Sequence, residues 1–211
     1  MAFRVQEFRS QMNYDGARPN LFKCDLTFPT SVTGGNAAQN KFSFMARAAQ
    51  LPGSTVNQIP QFYFGRELKF AGNRQFTEWT VTVINDEDFV IRDAFEKWMS
   101  GLNSHVNNLR SPAFEKGDNG YQQDGYITQY SKTRTLGQDG VIKKYKFVGL
   151  FPIDISPIEL DWGANDTIEE YAVTFAYQWW EYVDGLNGPT TDAVAANVPF
   201  SPLVPGNGIS V

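Results

Sequence analysis

Few side chains in this 211-residue sequence are of types that do chemistry, and their spacing supports none. The single histidine, His105, lies in a stretch without periodicity. With no second His or Cys beside it, His105 cannot anchor zinc, and no Gly-x-Ser-x-Gly elbow supports a Ser-His-Asp triad. The one cysteine, Cys24, excludes an internal disulfide and any multi-cysteine metal site. It reads as a small core residue of a strand. Asp86-Glu87-Asp88 and Glu169-Glu170 are acidic clusters that could in principle hold a cation. The first has the placing of a helix N-terminus, where negative charge is favoured, and the second that of a solvated strand start. No phosphate-cradling loop or dinucleotide fingerprint is present. Trp179, Trp180, Tyr182 and Tyr121 are candidates for a sugar-binding platform, with core and interface packing as the competing use. These residues predict no enzyme, no metal and no cofactor.

The elements that would position such residues are mostly strands. Between Gln75 and Asp88, Trp79, Val81 and Val83 alternate with Glu78, Thr80 and Thr82, the pattern of a strand with one buried face. The period then changes. Ile91, Phe95, Trp98 and Leu102 recur at helical spacing within a predicted helix over 89–102, capped by Asn85 or Asp86 and stopped by Gly101 and Asn103. Strands are predicted over 21–28, 41–48, 126–133, 141–151 and 168–180, with Pro152 to Pro157 breaking the chain between the last two. The stretch 29–40 reads as a loop. Residues 56–71 read as an extended hairpin turning at Gly65, and Pro60 argues for an edge or a projecting arm. Asp139-Gly140 marks another hairpin turn, and 104–125 reads as irregular. The predicted fold class is mainly β (α+β): an antiparallel β-sandwich or small barrel with one flanking α-helix. Residues 1–16 form an N-terminal arm, 17–182 the β-domain, and 183–211 an extended Gly/Pro-rich tail.

Apolar residues make up 42% of the chain, enough for a core, and no window is long and apolar enough for a membrane span. The N-terminus lacks an apolar signal region, so a cleaved leader is not expected. All 18 Lys and Arg fall within residues 1–146, whereas 147–211 hold nine Asp and Glu and no basic residue. A subunit with one basic and one acidic surface suits head-to-tail association with its own copies. Nothing in the charge pattern is the footprint of a nucleic-acid binder.

Several strings, in order, carry a family resemblance. They are Ala17-Arg18-Pro19-Asn20-Leu21-Phe22, Ala49-Gln50-Leu51-Pro52-Gly53, Ala71-Gly72-Asn73-Arg74-Gln75-Phe76 and Trp79-Thr80-Val81-Thr82-Val83-Ile84-Asn85-Asp86-Glu87. Gly149-Leu150-Phe151-Pro152, Leu160-Asp161-Trp162 and the stretch from Tyr171 to Glu181 follow. Over residues 17–181 the chain resembles the tail tube proteins of contractile-tailed (myovirus) phages, which are related to the inner-tube proteins of contractile injection systems. The resemblance implies a homo-hexameric ring in which each subunit gives four strands to a 24-stranded barrel, and rings that stack into a hollow tube. Strands spaced about 4.8 Å apart and tilted roughly 40° give a backbone diameter of about 48 Å, wide enough for double-stranded DNA after side chains narrow it to roughly 40 Å. The implied function is a conduit for DNA passage during ejection. The implied partners are tail sheath, tape-measure, baseplate and tail terminator proteins. The implied place is the virion after assembly in the host cytoplasm, with no membrane anchoring. An acidic lining would repel phosphates, so Glu78, or part of the set Asp161, Glu169 and Glu170, is expected to face the lumen. The arm Gln58–Asn73 is expected to reach a neighbouring subunit or ring through Gln58, Phe62, Tyr63, Phe64, Arg66, Lys69 and Asn73. Two other functions stay open at this point: the tube of a phage-derived injection system or tailocin, and a monomeric β-sandwich module that binds glycans.

Overall fold

The computed structural model describes residues 4–12, 16–115, 120–132 and 140–185. In chain order the elements are α1 (Val5–Gln11), β1 (Phe22–Leu26), α2 (Gly35–Met45), β2 (Ala46–Ala49), β3 (Ser54–Tyr63), β4 (Arg66–Phe76), β5 (Trp79–Ile84), α3 (Val90–Leu102), β6 (Gln123–Tyr130), β7 (Val141–Ile155), β8 (Glu170–Ala176) and β9 (Trp179–Gly185). A 3-10 turn spans Pro112–Phe114.

All strand pairs are antiparallel. One layer has the order β1-β6-β7-β9, the other β7-β8-β5-β2, and β3-β4 stand apart as a ribbon. β7 belongs to both layers because it bends. Up to Leu150 it pairs with β6 and β9, and from Phe151 onward with β8. The bend falls at Gly149, whose φ of +66° only glycine adopts without strain. Beside it, the chain leaving β8 turns at Tyr177-Gln178 and enters β9 in the other layer. The Gln178 N–H donates to the Val148 carbonyl at 3.0 Å, and a Cβ on Gly149 would lie 2.9 Å from Gln178 Cγ. Two strands thus turn one corner side by side.

The core lies between the layers and under α2 and α3. Trp79, Val81 and Val83 point inward from β5, opposite Phe175, Val173 and Tyr171 of β8. Trp79 stacks on Phe147 with ring centres 4.3 Å apart, and Phe95 of α3 meets Phe28, Phe42 and Phe175 at 5.0, 6.0 and 5.6 Å. Both buried indole N–H groups are satisfied: Trp79 donates to the Gln50 carbonyl at 2.9 Å and Trp98 to that of Tyr121 at 3.0 Å. Truncating such a ring costs roughly 3–5 kcal/mol.

The mainly β, antiparallel class is as the sequence predicts, but the described residues hold three α-helices where one was expected. The predicted loop at 29–40 and strand at 41–48 are largely α2, with only the short β2 after it. Phe42 and Phe44 alternate like strand residues. Gly35, Ala38 and Phe42, however, share a helical face buried against its neighbours, while Phe44 is left 82% exposed. α1 lies in the expected arm and buries no residue. The strand predicted over 168–180 is two strands in different layers, and Pro152 sits inside β7, opposite Phe175, next to a bulge that relieves the missing donor. α3 starts one residue later than predicted. Its N-cap is Phe89, with φ +52°, and neither Asn85 nor Asp86 caps it. Gly101 does not stop the helix but lies inside it, where the Phe114 ring rests on its Cα. The predicted Asp139-Gly140 turn lies mostly outside the described residues, and so does the tail beyond 185. β9 itself continues past the expected tail start at 183.

Candidate functional site

The chemically capable side chains do not converge. His105 Nε2 lies 3.2 Å from Ser100 Oγ on an exposed turn. Cys24 is fully buried, and burial pushes its thiol up to about 12, which makes it inert. Asp86 and Asp88 each place an oxygen 2.5 Å from Lys41 Nζ. Hydrogen bonding to that ammonium holds both carboxyls below the usual aspartate range and raises the lysine. Glu170 pairs with Arg47, and Glu169 accepts from Asn85 Nδ2 at 2.8 Å. Among the described residues no group of His, Cys, Asp and Glu side chains is arranged to hold a metal ion, and no helix is long and apolar enough to cross a membrane. The four aromatics form no platform. Tyr182 is buried, Trp180 packs on Tyr145 and Phe76, and Tyr121 lies against Phe151 beneath Arg110, leaving Trp179 half exposed.

What the fold presents instead is three surfaces. The first is the outer face of the β7-β8-β5-β2 layer. Its inner face meets α3 through Phe175 and Phe95, so Thr80, Thr82 and Ile84 of β5 and Ala172 and Thr174 of β8 look away from the helices. Glu78 precedes β5 in phase with Thr80, and Glu170 is opposite Ile84. The structure therefore brings Glu78 and Glu170 to one face, at opposite ends of β5. Asp161 and Glu169 lie off the strands, in the connection before β8. The layer is open on both sides. β2 ends the strand order, and β6 and β9 do not extend along β7 beyond Leu150 and Val148, which leaves Phe151–Ile155 with one unpaired edge among the described strands.

The second surface is the β3-β4 ribbon. It turns on Phe64 and Gly65, with φ of +46° and +76°, the two-residue turn that suits strand twist. Phe76 fixes its root against Tyr177 and Trp180, and Trp180 Nε1 donates to the Gly53 carbonyl at 3.1 Å. Beyond that root it is exposed, and Phe64 at the tip is 91% so. The register puts Ile59 opposite Phe70, Gln61 opposite Leu68 and Tyr63 opposite Arg66 on one face. Gln58 opposite Ala71, Pro60 opposite Lys69 and Phe62 opposite Glu67 make the other. The seven expected contact residues are thus split. Gln58, Phe62 and Lys69 lie on one face, Tyr63 and Arg66 on the other, Phe64 at the tip and Asn73 in the irregularity near the root. Sequence reading missed the apolar row of Ile59, Leu68 and Phe70, although counting back from the turn at Gly65 would have found it.

The third surface is a shallow cup of about 540 Å³ in the connection 157–170, lined by Pro157, Leu160, Trp162 and Ile168 with Glu159 and Asp161. Leu160, Trp162 and Ile168 are exposed, Trp162 completely. Asp161 accepts the Gly163 N–H at 2.9 Å, which shapes the turn under the indole.

Residues 17–183 match the family described as phage tail tube protein. The tail tube protein gp19 of Enterobacteria phage T4 is 32% identical over 167 residues, covering 79% of this chain and 92% of that protein. The tail tube protein of Serratia phage KSP90 is 23% identical over 175 residues, covering 82% and 93%. Among solved structures, a chain of the anti-feeding prophage baseplate, solved with six-fold symmetry, superposes with a TM-score of 0.54 at 12% identity, covering 82% of this chain and 97% of that one. A chain of the cap that ends that particle's tube gives 0.54 at 14% identity, covering 80% and 91%.

Proposed function

We propose, from the premise that this chain belongs to the phage tail tube protein family, that six copies close into a ring and that stacked rings form the bore through which DNA leaves a contractile tail. The role is structural. No bond is made or broken, and no cofactor is needed. One observation carries the proposal: among the described residues a four-stranded layer, β7-β8-β5-β2, is open at both edges and bare on one face. Open edges invite pairing with further strands, and only closure of the sheet removes them all. Six such layers joined edge to edge make a barrel of 24 strands.

The bare face would then be the lumen wall. Its short threonine and alanine side chains leave the bore wide, and its rims carry Glu78 and Glu170. Arg47, on the edge strand β2, is neutralised by Glu170. A wall without free cations gives phosphates nothing to grip, so DNA slides. Asp161 and Glu169, off the strands, would sit at a ring boundary rather than on the wall. The ribbon would reach a neighbouring subunit or ring. Sheath, tape-measure, baseplate and terminator proteins would be the remaining partners, met in the host cytoplasm where the tail assembles. The injection-system alternative rests on a likeness of fold alone, while the phage assignment rests on sequence as well.

Electron microscopy of the purified chain over a concentration series tests the ring. Hexameric rings or tubes with a central hole of roughly 40 Å are expected. A particle that stays near 24 kDa when concentrated would sink the proposal.

A further inference from the structure

We propose that the cup at 157–170 is the seat for the β3-β4 ribbon of a neighbouring copy of this chain. This rests on the tube assignment and adds the acceptor surface, which neither the family match nor the fold identifies.

The ribbon and the cup are complementary in two independent respects. Each exposes an apolar patch. The ribbon shows Ile59, Leu68 and Phe70 along one face and Tyr63 and Phe64 at its end, while the cup shows Leu160, Trp162 and Ile168. Their charges are opposite. Among the described residues, Arg66 on the apolar face, Lys69 on the other face and Arg74 near the root have no acid within 4.0 Å and outnumber the ribbon's one acid, Glu67, while Glu159 and Asp161 of the cup have no base within that distance. The cup lies in the part of the chain with no Lys or Arg at all, so it cannot neutralise itself locally. A ribbon of net positive charge meeting an acidic cup steers one apolar patch onto the other, with Arg66 the base on the docking face.

The occupant is a second copy, not the same chain folding back. The ribbon's described ring and hydrogen-bond contacts with the rest of its own subunit are at the root, through Phe76 and Gly53. Its apolar row from Ile59 to Tyr63 spans roughly 13 Å at strand rise, which projects the tip away from that anchor. A ribbon held at one end and sticky at the other is suited to bridging subunits. A head-to-tail contact of this kind also repeats without closing, as a stacked tube requires.

Two chains made separately, one carrying Phe64→Cys and the other Trp162→Cys, are assembled together and mildly oxidised. Cys24 is buried and stays out of the reaction. A disulfide-linked dimer is expected on a non-reducing gel from mixed tubes, and none from tubes of either variant alone. In a second arm, Arg66→Glu with Lys69→Glu should raise the concentration needed for assembly roughly tenfold, and adding Glu159→Lys with Asp161→Lys should restore it. Mixed tubes that form normally without cross-linking, together with no charge compensation, overturn the cup as acceptor while leaving the tube intact. Protection of Trp162→Cys from a maleimide only after a sheath protein is added gives the cup to that partner and likewise overturns the proposal. If the unmodified chain forms no rings or tubes at all, the tube assignment fails, and the cup proposal fails with it.

Discussion

Lys41 bridges two carboxylates, and its contribution to stability depends on pH at both ends of the scale. Asp86 and Asp88 titrate below their ordinary 3.8 because they bond the ammonium, so their share is present above that value and is lost as pH falls through the lowered ones. Lys41 is raised above 10.5, so its share holds below that value and is lost as pH rises through the raised one. Lys41→Met should therefore lower Tm across the neutral range, with the gap to the unmodified chain closing in acid below pH 3.8 and in strong alkali. A gap that is constant from pH 2 to 8 would show that packing, not charge, matters there. Gly101 offers a second residue-scale test. A Cβ at that position would lie 2.0 Å from Phe114 Cε2, so the buried ring must leave its place. Alanine gains about 1 kcal/mol in helix propensity, but overpacking costs about 1–3 kcal/mol. Gly101→Ala should lose stability on balance in chemical denaturation, and a gain would mean the ring shifts freely.

Among the elements, the β3-β4 ribbon contributes nothing to the core beyond its root. Deleting Phe62, Tyr63 and Phe64 should leave the circular dichroism spectrum and Tm of the monomer nearly unchanged while abolishing tubes in electron micrographs. Normal tubes from that deletion would remove the ribbon from assembly. The corner where β7 and the β8-β9 connection turn together has a different role. It lets one strand serve two layers, which leaves the outer face of the β7-β8-β5-β2 layer without a covering element among the described residues. The helices divide by a similar logic. α2 and α3 fill the inner face with Phe42, Phe95 and Trp98, and that one-sided coverage is what the proposed bore wall needs.

In the whole molecule, the proposed tube would have an inside defined by what it lacks. Thr82→Lys would put one cation per subunit on the proposed wall. Such tubes should still assemble, because the residue is not at an edge, but phage carrying them should release DNA more slowly, with the rate recovering as salt is raised. Release that is unaffected, followed by dye fluorescence on ejected DNA, would place that face outside the bore. The sequence by itself determined the strand at 79–84, the helix after it, the hairpin turning at Gly65 and the burial of Cys24, because each is set by local periodicity or by turn chemistry. It also determined the family, through strings spread over the whole domain. It misread α2, because Phe42 and Phe44 satisfy strand alternation while Phe42 also lies a helical step from Ala38, and only the contacts of Phe42 with α3 decide between them. It gave no sign that Gly101 accommodates Phe114, a residue remote in sequence whose ring arrives from a later turn. The split of one apparent strand at Gln178 was likewise invisible, since residues on both sides alternate in phase and only pairing with different segments of β7 reveals the corner. Which sheet face is left bare, and which edges are left open, are properties of the assembled layers. No local pattern encodes them, because they depend on what is absent from the other side.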